Sequence, residues 1–177
     1  MRIISGLYRR KVLISPDTDY VRPTSDRAKE TLFNILNNRI NFSGINCLDL
    51  FCGTGNLGLE SISRGSGKCS FVDTDTKLVI KNIEKVGVNE QSEVYKSDSV
   101  EFLKRNTEKK YDLIFCDPPY DYPDYKKLTE YLMLYKTLTI LEHSAKYETE
   151  DEFSRFVILR KKIGTVNFTF FDFKNNI

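Results

Sequence analysis

The apolar run Leu113-Ile114-Phe115-Cys116 ends abruptly in Asp117-Pro118-Pro119-Tyr120. A short stretch with no polar side chain predicts a strand buried on both faces, as in parallel sheets. Two consecutive prolines cannot continue a sheet ladder, and each pushes the residue before it toward an extended backbone. The chain is thereby forced into a stiff corner at the carboxyl end of an inner strand. Open α/β sheets place their ligands along that edge. The chemistry at this corner is narrow. Asp117 brings a carboxylate, Pro118 a carbonyl with no amide hydrogen of its own, and Tyr120 a flat ring. Two aligned acceptors can hold both hydrogens of a planar amino group and aim its nitrogen, and an aromatic ring can stack on an extruded base. An ordinary proline turn with a surface tyrosine is the plain alternative.

A second strand-to-turn unit lies upstream. Residues 45–51 predict a central strand, followed by Cys52-Gly53-Thr54-Gly55-Asn56-Leu57-Gly58, a turn whose glycines let backbone approach a ligand closely. Dinucleotide enzymes use similar turns. Here Asp49 sits inside the strand end, four residues before Gly53. A carboxylate there repels a pyrophosphate but pairs with an ammonium group. That favours S-adenosyl-L-methionine, which carries an amine and a cationic sulfonium, over NAD. Cys69-Ser70-Phe71-Val72 predicts the next strand, ending at Asp73, about twenty residues past the glycine turn, where ribose hydroxyls are held in such folds. Asp75 competes for that role but better suits the cap of a helix starting at Thr76-Lys77. Residues 93–96 predict a third strand. Asp98, with Ser99 beside it, is either an acceptor for an adenine amino group or a helix cap.

Toward the end of the chain, residues 126–136 predict a helix with Leu128, Leu132 and Met133 inward, and residues 138–141 a strand closed by Glu142-His143. His143, the one histidine, reads as an exposed or strand-end residue, not a general base. Residues 145–154 are acidic and expected at the surface. Residues 156–159 and 166–173 around Gly164 predict a β-hairpin.

With 177 residues the chain suits one buried domain, and 40% hydrophobic residues fits an α/β protein of soluble type. The net charge of +2 makes position matter more than total. Arg2, Arg9, Arg10 and Lys11 fall in a stretch without acids, and residues 1–14 predict two short strands around Ser5-Gly6. With Tyr8 they suit a phosphate backbone and a base; an edge hairpin shielded by charge is the alternative. Residues 15–23 read as a polar loop through Arg22-Pro23. Thr24-Ser25-Asp26 then supplies a helix start. Ala28, Leu32, Ile35 and Leu36 form its inner face, with Arg27 and Lys29 off it. No run approaches membrane-spanning length and no signal peptide is expected. The four cysteines, Cys47, Cys52, Cys69 and Cys116, read as core residues of a reducing cytoplasm, with no metal site.

Taken together, Met1-Arg2-Ile3-Ile4-Ser5-Gly6, Arg22-Pro23-Thr24-Ser25-Asp26-Arg27 with Glu30-Thr31-Leu32-Phe33-Asn34, the run from Asp49 to Glu60, and Asp117-Pro118-Pro119-Tyr120 give a resemblance over nearly the whole length. The chain resembles the bacterial small-subunit ribosomal RNA guanine-N2 methyltransferases of the RsmD type. The last two motifs occur in many methyltransferases, and the first two, in this order, are more selective. The resemblance implies a Rossmann-like class I methyltransferase fold, a seven-stranded mostly parallel sheet ending in an antiparallel hairpin plus an N-terminal β-hairpin, with a basic hairpin and loop over residues 1–22 for RNA contact and the methyltransferase domain over 23–177.

It also implies transfer of a methyl group from S-adenosyl-L-methionine to the exocyclic N2 of one guanine in 16S rRNA, within a small ribosomal subunit or assembly intermediate, by a cytoplasmic monomer. The implied roles are Asp117, Pro118, Pro119 and Tyr120 at the reacting amine. Thr24, Asp26, Arg27, Asp49, Phe51, Gly53, Gly55, Asp73, Asp98 and Ser99 would lie at the cofactor, and Arg2, Tyr8, Arg9, Arg10, Lys11 and Arg22 toward RNA. Asp73 stands where the family usually has glutamate, and 143–154 is unusually acidic. The rival readings are an amino-methyltransferase on DNA adenine N6 or a protein glutamine, and a non-catalytic RNA-binding scaffold.

Overall fold

The computed structural model describes residues 1–16 and 26–174. Helix and strand alternate as α1 (Asp26–Asn37), β1 (Asn46–Leu50), α2 (Asn56–Ser63), β2 (Lys68–Asp73), α3 (Lys77–Val86), β3 (Ser92–Lys96) and α4 (Ser99–Arg105). They continue as β4 (Leu113–Cys116), α5 (Tyr125–Leu134), β5 (Leu138–His143), α6 (Asp151–Ser154), β6 (Val157–Ile163) and β7 (Val166–Asp172). Seven strands form one sheet in the order β3-β2-β1-β4-β5-β7-β6. The pairs from β3 to β5 are parallel, and β7 runs antiparallel to both β5 and β6. The expected fold class is the one observed. Strand order reverses between β1 and β4, which opens a crevice at their carboxyl ends.

The period of two along each strand builds two cores. Leu113 and Phe115 of β4 enter a cluster with Leu32 and Phe33 of α1 and Leu59 and Ile62 of α2. Ile114 and Cys116 enter the opposite cluster with Phe102 of α4 and Leu128 and Leu132 of α5. All four β4 residues are buried, so the corner after Cys116 hangs from a strand held on both sides. No helix among the described residues is long and apolar enough to cross a membrane.

Several local expectations change. The N-terminal segment does reverse direction as a short antiparallel hairpin, with one bridge between Arg2 and Val12 and backbone bonds from Ile3 to Lys11, Leu13 to Met1 and Arg10 to Ile3 at 2.9, 3.1 and 2.9 Å, but it forms no extended strands. The reason is that its amides serve α2 instead: Ile4 and Ser5 donate to the Glu60 carboxylate at 2.7 and 3.1 Å, and Leu7 to the Ser63 carbonyl at 2.7 Å. Gly6 makes this approach feasible, since a Cβ there would stand 1.7 Å from that carbonyl oxygen. Helix α5 stops at Leu134, short of the expected end, because Lys136 takes a left-handed backbone (φ 49°). Strand β5 runs on through His143, which is buried, not exposed. Its ring contacts the Ser144 carbonyl and the Thr169 hydroxyl, each at 2.9 Å. The acidic stretch is anchored by the buried Phe153 within the short α6.

The largest departure is Lys29. Expected off the inner face of α1, it is fully buried. Its ammonium donates to the Arg2 carbonyl (2.7 Å) and Asn56 Oδ1 (2.6 Å), and lies 3.3 Å from Glu60 Oε2. Burial lowers its pKa, and the neighbouring Glu60 charge pulls it back. Glu60 is as buried, and also accepts from Arg64 Nε at 2.8 Å. Removing one partner of a buried ion pair costs about 3–5 kcal/mol. Lys29→Met leaves Glu60 with its backbone and arginine donors, so we expect about 3 kcal/mol lost. Glu60→Ala leaves a buried ammonium without its counter-charge and two part-buried amides without their acceptor, and is expected to cost more. Urea-unfolding midpoints of the two variants test the ranking; equal or reversed costs would refute it.

Candidate active site

A cavity of about 670 Å³ opens at the carboxyl ends of β1, β2 and β4. Three of the motifs expected to act together meet there: Asp49, Phe51 and Gly53 of the first turn, Asp73 at the end of β2, and Asp117 to Tyr120 beyond β4. The turn after β1 is sharply folded. Phe51, Gly53 and Gly55 all have positive φ, at 56, 51 and 78°. For phenylalanine this is a strained conformation, costing about 1–3 kcal/mol. Its ring meets Tyr122 edge-on at 5.4 Å, beyond the proline corner. A Cβ on Gly53 would meet no protein atom within 4 Å, and Gly53 lines the cavity, so its missing side chain leaves ligand space.

Asp49 is buried in β1, with Oδ2 accepting from the Gly58 amide of α2 at 2.8 Å. Burial raises its pKa well above the usual carboxylate range, and Asp117 and Asp73 add to the rise. Asp73 accepts from the Gly53 amide at 2.8 Å and the Asp75 amide at 3.0 Å, so it braces the glycine turn from the next strand. Asp75 also lines the cavity, while its carboxylate accepts from the Lys77 amide at 3.1 Å in the turn that leads into α3, whose N-cap is Thr76 and not Asp75. The Asp117 amide donates to the Leu50 carbonyl at 3.3 Å, tying the corner to β1. Burial raises its carboxyl to about 7. Pro118 is buried, whereas Pro119 and Tyr120 are exposed, Tyr120 by 51%.

Other expected residues are not among those that line the cavity. Asp98 caps α4 by accepting from the Glu101 amide at 3.0 Å, and neither it nor the buried Ser99 lines the cavity. Asp26 takes a salt bridge from Arg2 at 2.8 Å, and Asp26, Arg27 and Gly55 are not among the walls. Thr24 and Arg22 fall outside the described residues. The basic turn sits far from the cleft: Tyr8 donates its amide to Ser63 Oγ at the end of α2, and Lys11 its ammonium to the Val86 carbonyl at the end of α3. The cavity is at the opposite ends of those helices, about 12 Å away for α2 at 1.5 Å per residue. Walls not expected from the sequence are Met1, Pro16, Cys52, Thr54, Asn56, Leu57, Thr74 and Leu78. Cys52, Thr54, Asn56 and Leu57 lay inside the quoted glycine run; Met1 opened the N-terminal motif with no role of its own, and its sulfur accepts from the Thr54 hydroxyl at 3.2 Å.

Among the described residues the cavity walls carry Asp49, Asp73, Asp75 and Asp117 and no lysine or arginine. Nor does any cluster of three His, Cys, Asp or Glu residues suit a metal ion. Such a lining suits a cationic ligand with hydroxyls and disfavours a phosphate. It also makes folding pH-sensitive. Between pH 4 and 7 the folded state holds a proton on Asp117 that the unfolded chain has released, so stability falls as pH rises through that window. The full effect is at most about 4 kcal/mol, less where solvent reaches this half-buried carboxyl. Asp117→Asn should make the decline in urea midpoint from pH 5 to 8 shallower than in the unmodified protein; parallel declines would contradict the assignment.

A family model described as "Conserved hypothetical protein 95" matches residues 1–172. The chain is similar to ribosomal RNA small subunit methyltransferase D of Haemophilus influenzae, 39% identical over 69% of this chain and 65% of that protein. It thus spans about two thirds of that relative's length. The Bacillus subtilis protein YlbH is 34% identical over 92% of both chains. The solved structure of Escherichia coli yhhF superposes with a TM-score of 0.80 at 27% identity, covering 97% of this chain and 96% of that one. Fold, cavity and sequence agree, and the chain belongs to this family, that of the ribosomal RNA small subunit methyltransferase D proteins.

Proposed function

We propose that this protein transfers the methyl group of S-adenosyl-L-methionine to the exocyclic N2 of a guanine in 16S rRNA, acting as a cytoplasmic monomer on a small ribosomal subunit or assembly intermediate. The observation that carries the reading is a cation-seeking cavity, lined by four carboxylates, that continues into the Asp117-Pro118-Pro119-Tyr120 corner. The name of the Haemophilus relative supplies the substrate class.

Asp49 suits the amine of the cofactor's amino-acid tail, Asp73 or Asp75 its ribose hydroxyls, and the open face of Gly53 the close approach of its backbone. When bound, the cofactor supplies an electrophilic methyl group on a sulfonium. Asp117 and the Pro118 carbonyl accept the two hydrogens of the guanine amine and aim its lone pair, which is otherwise delocalised into the ring. A cation in the cavity favours the ionised form of Asp117, the form that accepts. Tyr120 offers a half-exposed ring on which the extruded base stacks. Holding the amine in place is worth several kcal/mol without a strong base. The proton left on nitrogen passes to Asp117 or to water. Arg2, Arg9 and Arg10 offer cations to the RNA backbone.

The test is methyl transfer from labelled S-adenosyl-L-methionine to 30S particles and to free 16S rRNA from cells lacking this protein, followed by nucleoside analysis. Label recovered as N2-methylguanosine is expected. Label as N6-methyladenosine, or in protein alone, would reassign the acceptor. Asp117→Ala should cost about 10²–10³ in kcat with cofactor binding retained. Tyr120→Ala should chiefly raise KM for RNA. Unchanged turnover in Asp117→Ala would refute the role given to that carboxylate, whereas RNA binding without methyl transfer in the unmodified protein would leave the scaffold reading standing.

A further inference from the structure

The last strand of the sheet carries a feature that the active site does not use. β6 reads Val157-Ile158-Leu159-Arg160-Lys161-Lys162-Ile163, with three consecutive cations and no acid. All three cations are exposed, and β6 is the terminal strand of the sheet. Their partners across the ladder are Thr169, Phe168 and Asn167, so no carboxylate faces them from β7. None of the three is in an ion pair among the described residues; Glu152, in the acidic stretch before β6, is taken by Lys126 at 3.1 Å. Alternation along the strand sends Lys161 to one face of the sheet and Arg160 and Lys162 to the other, so the cations straddle the edge.

Topology sets where this edge lies. β6 runs antiparallel to β7, which runs antiparallel to β5, so β6 points the same way as β4. Lys162 pairs with Asn167, and Asn167 pairs with His143 at the carboxyl end of β5. The cations therefore rise to the same edge of the sheet as Asp117, three strands along, or about 14 Å at 4.8 Å per strand. The basic turn at Tyr8 to Lys11, by contrast, sits at the opposite ends of α2 and α3.

From this placement we infer that Arg160, Lys161 and Lys162 form a phosphate-binding track for the RNA strand that flanks the nucleotide held at Asp117. The inference rests on the RNA reading above. Charged edge residues also discourage strand-to-strand aggregation, but either sign of charge serves that purpose. Charge reversal separates the two roles, because Lys161→Glu/Lys162→Glu keeps a charged edge while inverting its attraction for phosphate.

The experiment measures methyl transfer to 30S particles and free 16S rRNA, with RNA affinity followed from 50 to 200 mM salt. For Lys161→Glu/Lys162→Glu we expect KM for RNA to rise about tenfold or more and the log–log salt slope to flatten by about 1.4, the value for two lost single-strand phosphate contacts. The cofactor dissociation constant and the urea midpoint should stay as in the unmodified protein. Arg9→Glu/Arg10→Glu, on the far side, is expected to change KM less. Unchanged KM and slope in the β6 variant, with the unmodified protein active on RNA, overturns this inference alone. An unmodified protein that neither binds nor methylates small-subunit RNA overturns the functional reading as well.

Discussion

The contact on which the rest of the architecture depends is the buried pair of Lys29 and Glu60. Neither side chain reaches water, and two charges moved out of water lose several kcal/mol of hydration each. What offsets that loss is complete hydrogen bonding. Three acceptors surround the ammonium, and four donors converge on the carboxylate. An apolar replacement could fill the volume but could not hold three separate pieces of chain together. Through this pair α1, α2 and the N-terminal segment become one body, and that body supplies Met1 and Asn56 to the cavity wall. Asn56 in particular has its oxygen fixed by Lys29.

The cavity itself is built against stability. Asp49, Asp73 and Asp117 are brought near enough that Asp49 is disfavoured by both of the others as an ion. Phe51 adds a left-handed backbone at the same place. Concentrated strain and like charge are common where a protein is completed by its ligand. The brace is local: Asp73 holds the Gly53 amide, Asp49 the Gly58 amide, and Asp117 hangs from Leu50. The Asp49 and Asp73 carboxylates thus each keep a bond to the backbone while their residues line the cavity, and Asp117 is tied through its own amide.

Much of this was legible in the sequence, because the deciding features are local. An apolar run stopped by two prolines, glycines after an acid-tipped strand, and a late β-hairpin each translate directly into backbone. The alternation of Leu113, Ile114, Phe115 and Cys116 between two cores follows from strand geometry alone. What stayed hidden is long-range. Lys29 precedes Leu32, Phe33 and Leu36 by three, four and seven residues, so its position on the inner face was readable. Its charge argued for the surface, and only Glu60, far along the chain, reverses that. The N-terminal hairpin forms but stays short for the same reason, since α2 claims the amides of Ile4, Ser5 and Leu7. Asp98 was ambiguous by chemistry: a carboxylate before a helix can cap it or bind a ligand, and its Glu101 bond shows the cap.

Charge is also sorted across the sheet, and the sorting has a physical consequence. The acids stand at the ends of β1, β2 and β4, while β6 at the far end of the sheet presents only cations. On the proposed reading, an acidic cleft attracts a cationic cofactor and repels the phosphates of the nucleic acid that approaches it. Placing the cations beside the acids would quench both fields. At three strand spacings, about 14 Å, the two groups stand farther apart than the Debye length of about 8 Å at physiological ionic strength. On the proposed reading, each field then acts on its own ligand: the cavity on a small cation, the β6 edge on a phosphate chain. The antiparallel hairpin appended to the parallel core provides that separation, because it widens the sheet on the side of Asp117 without touching the cofactor crevice.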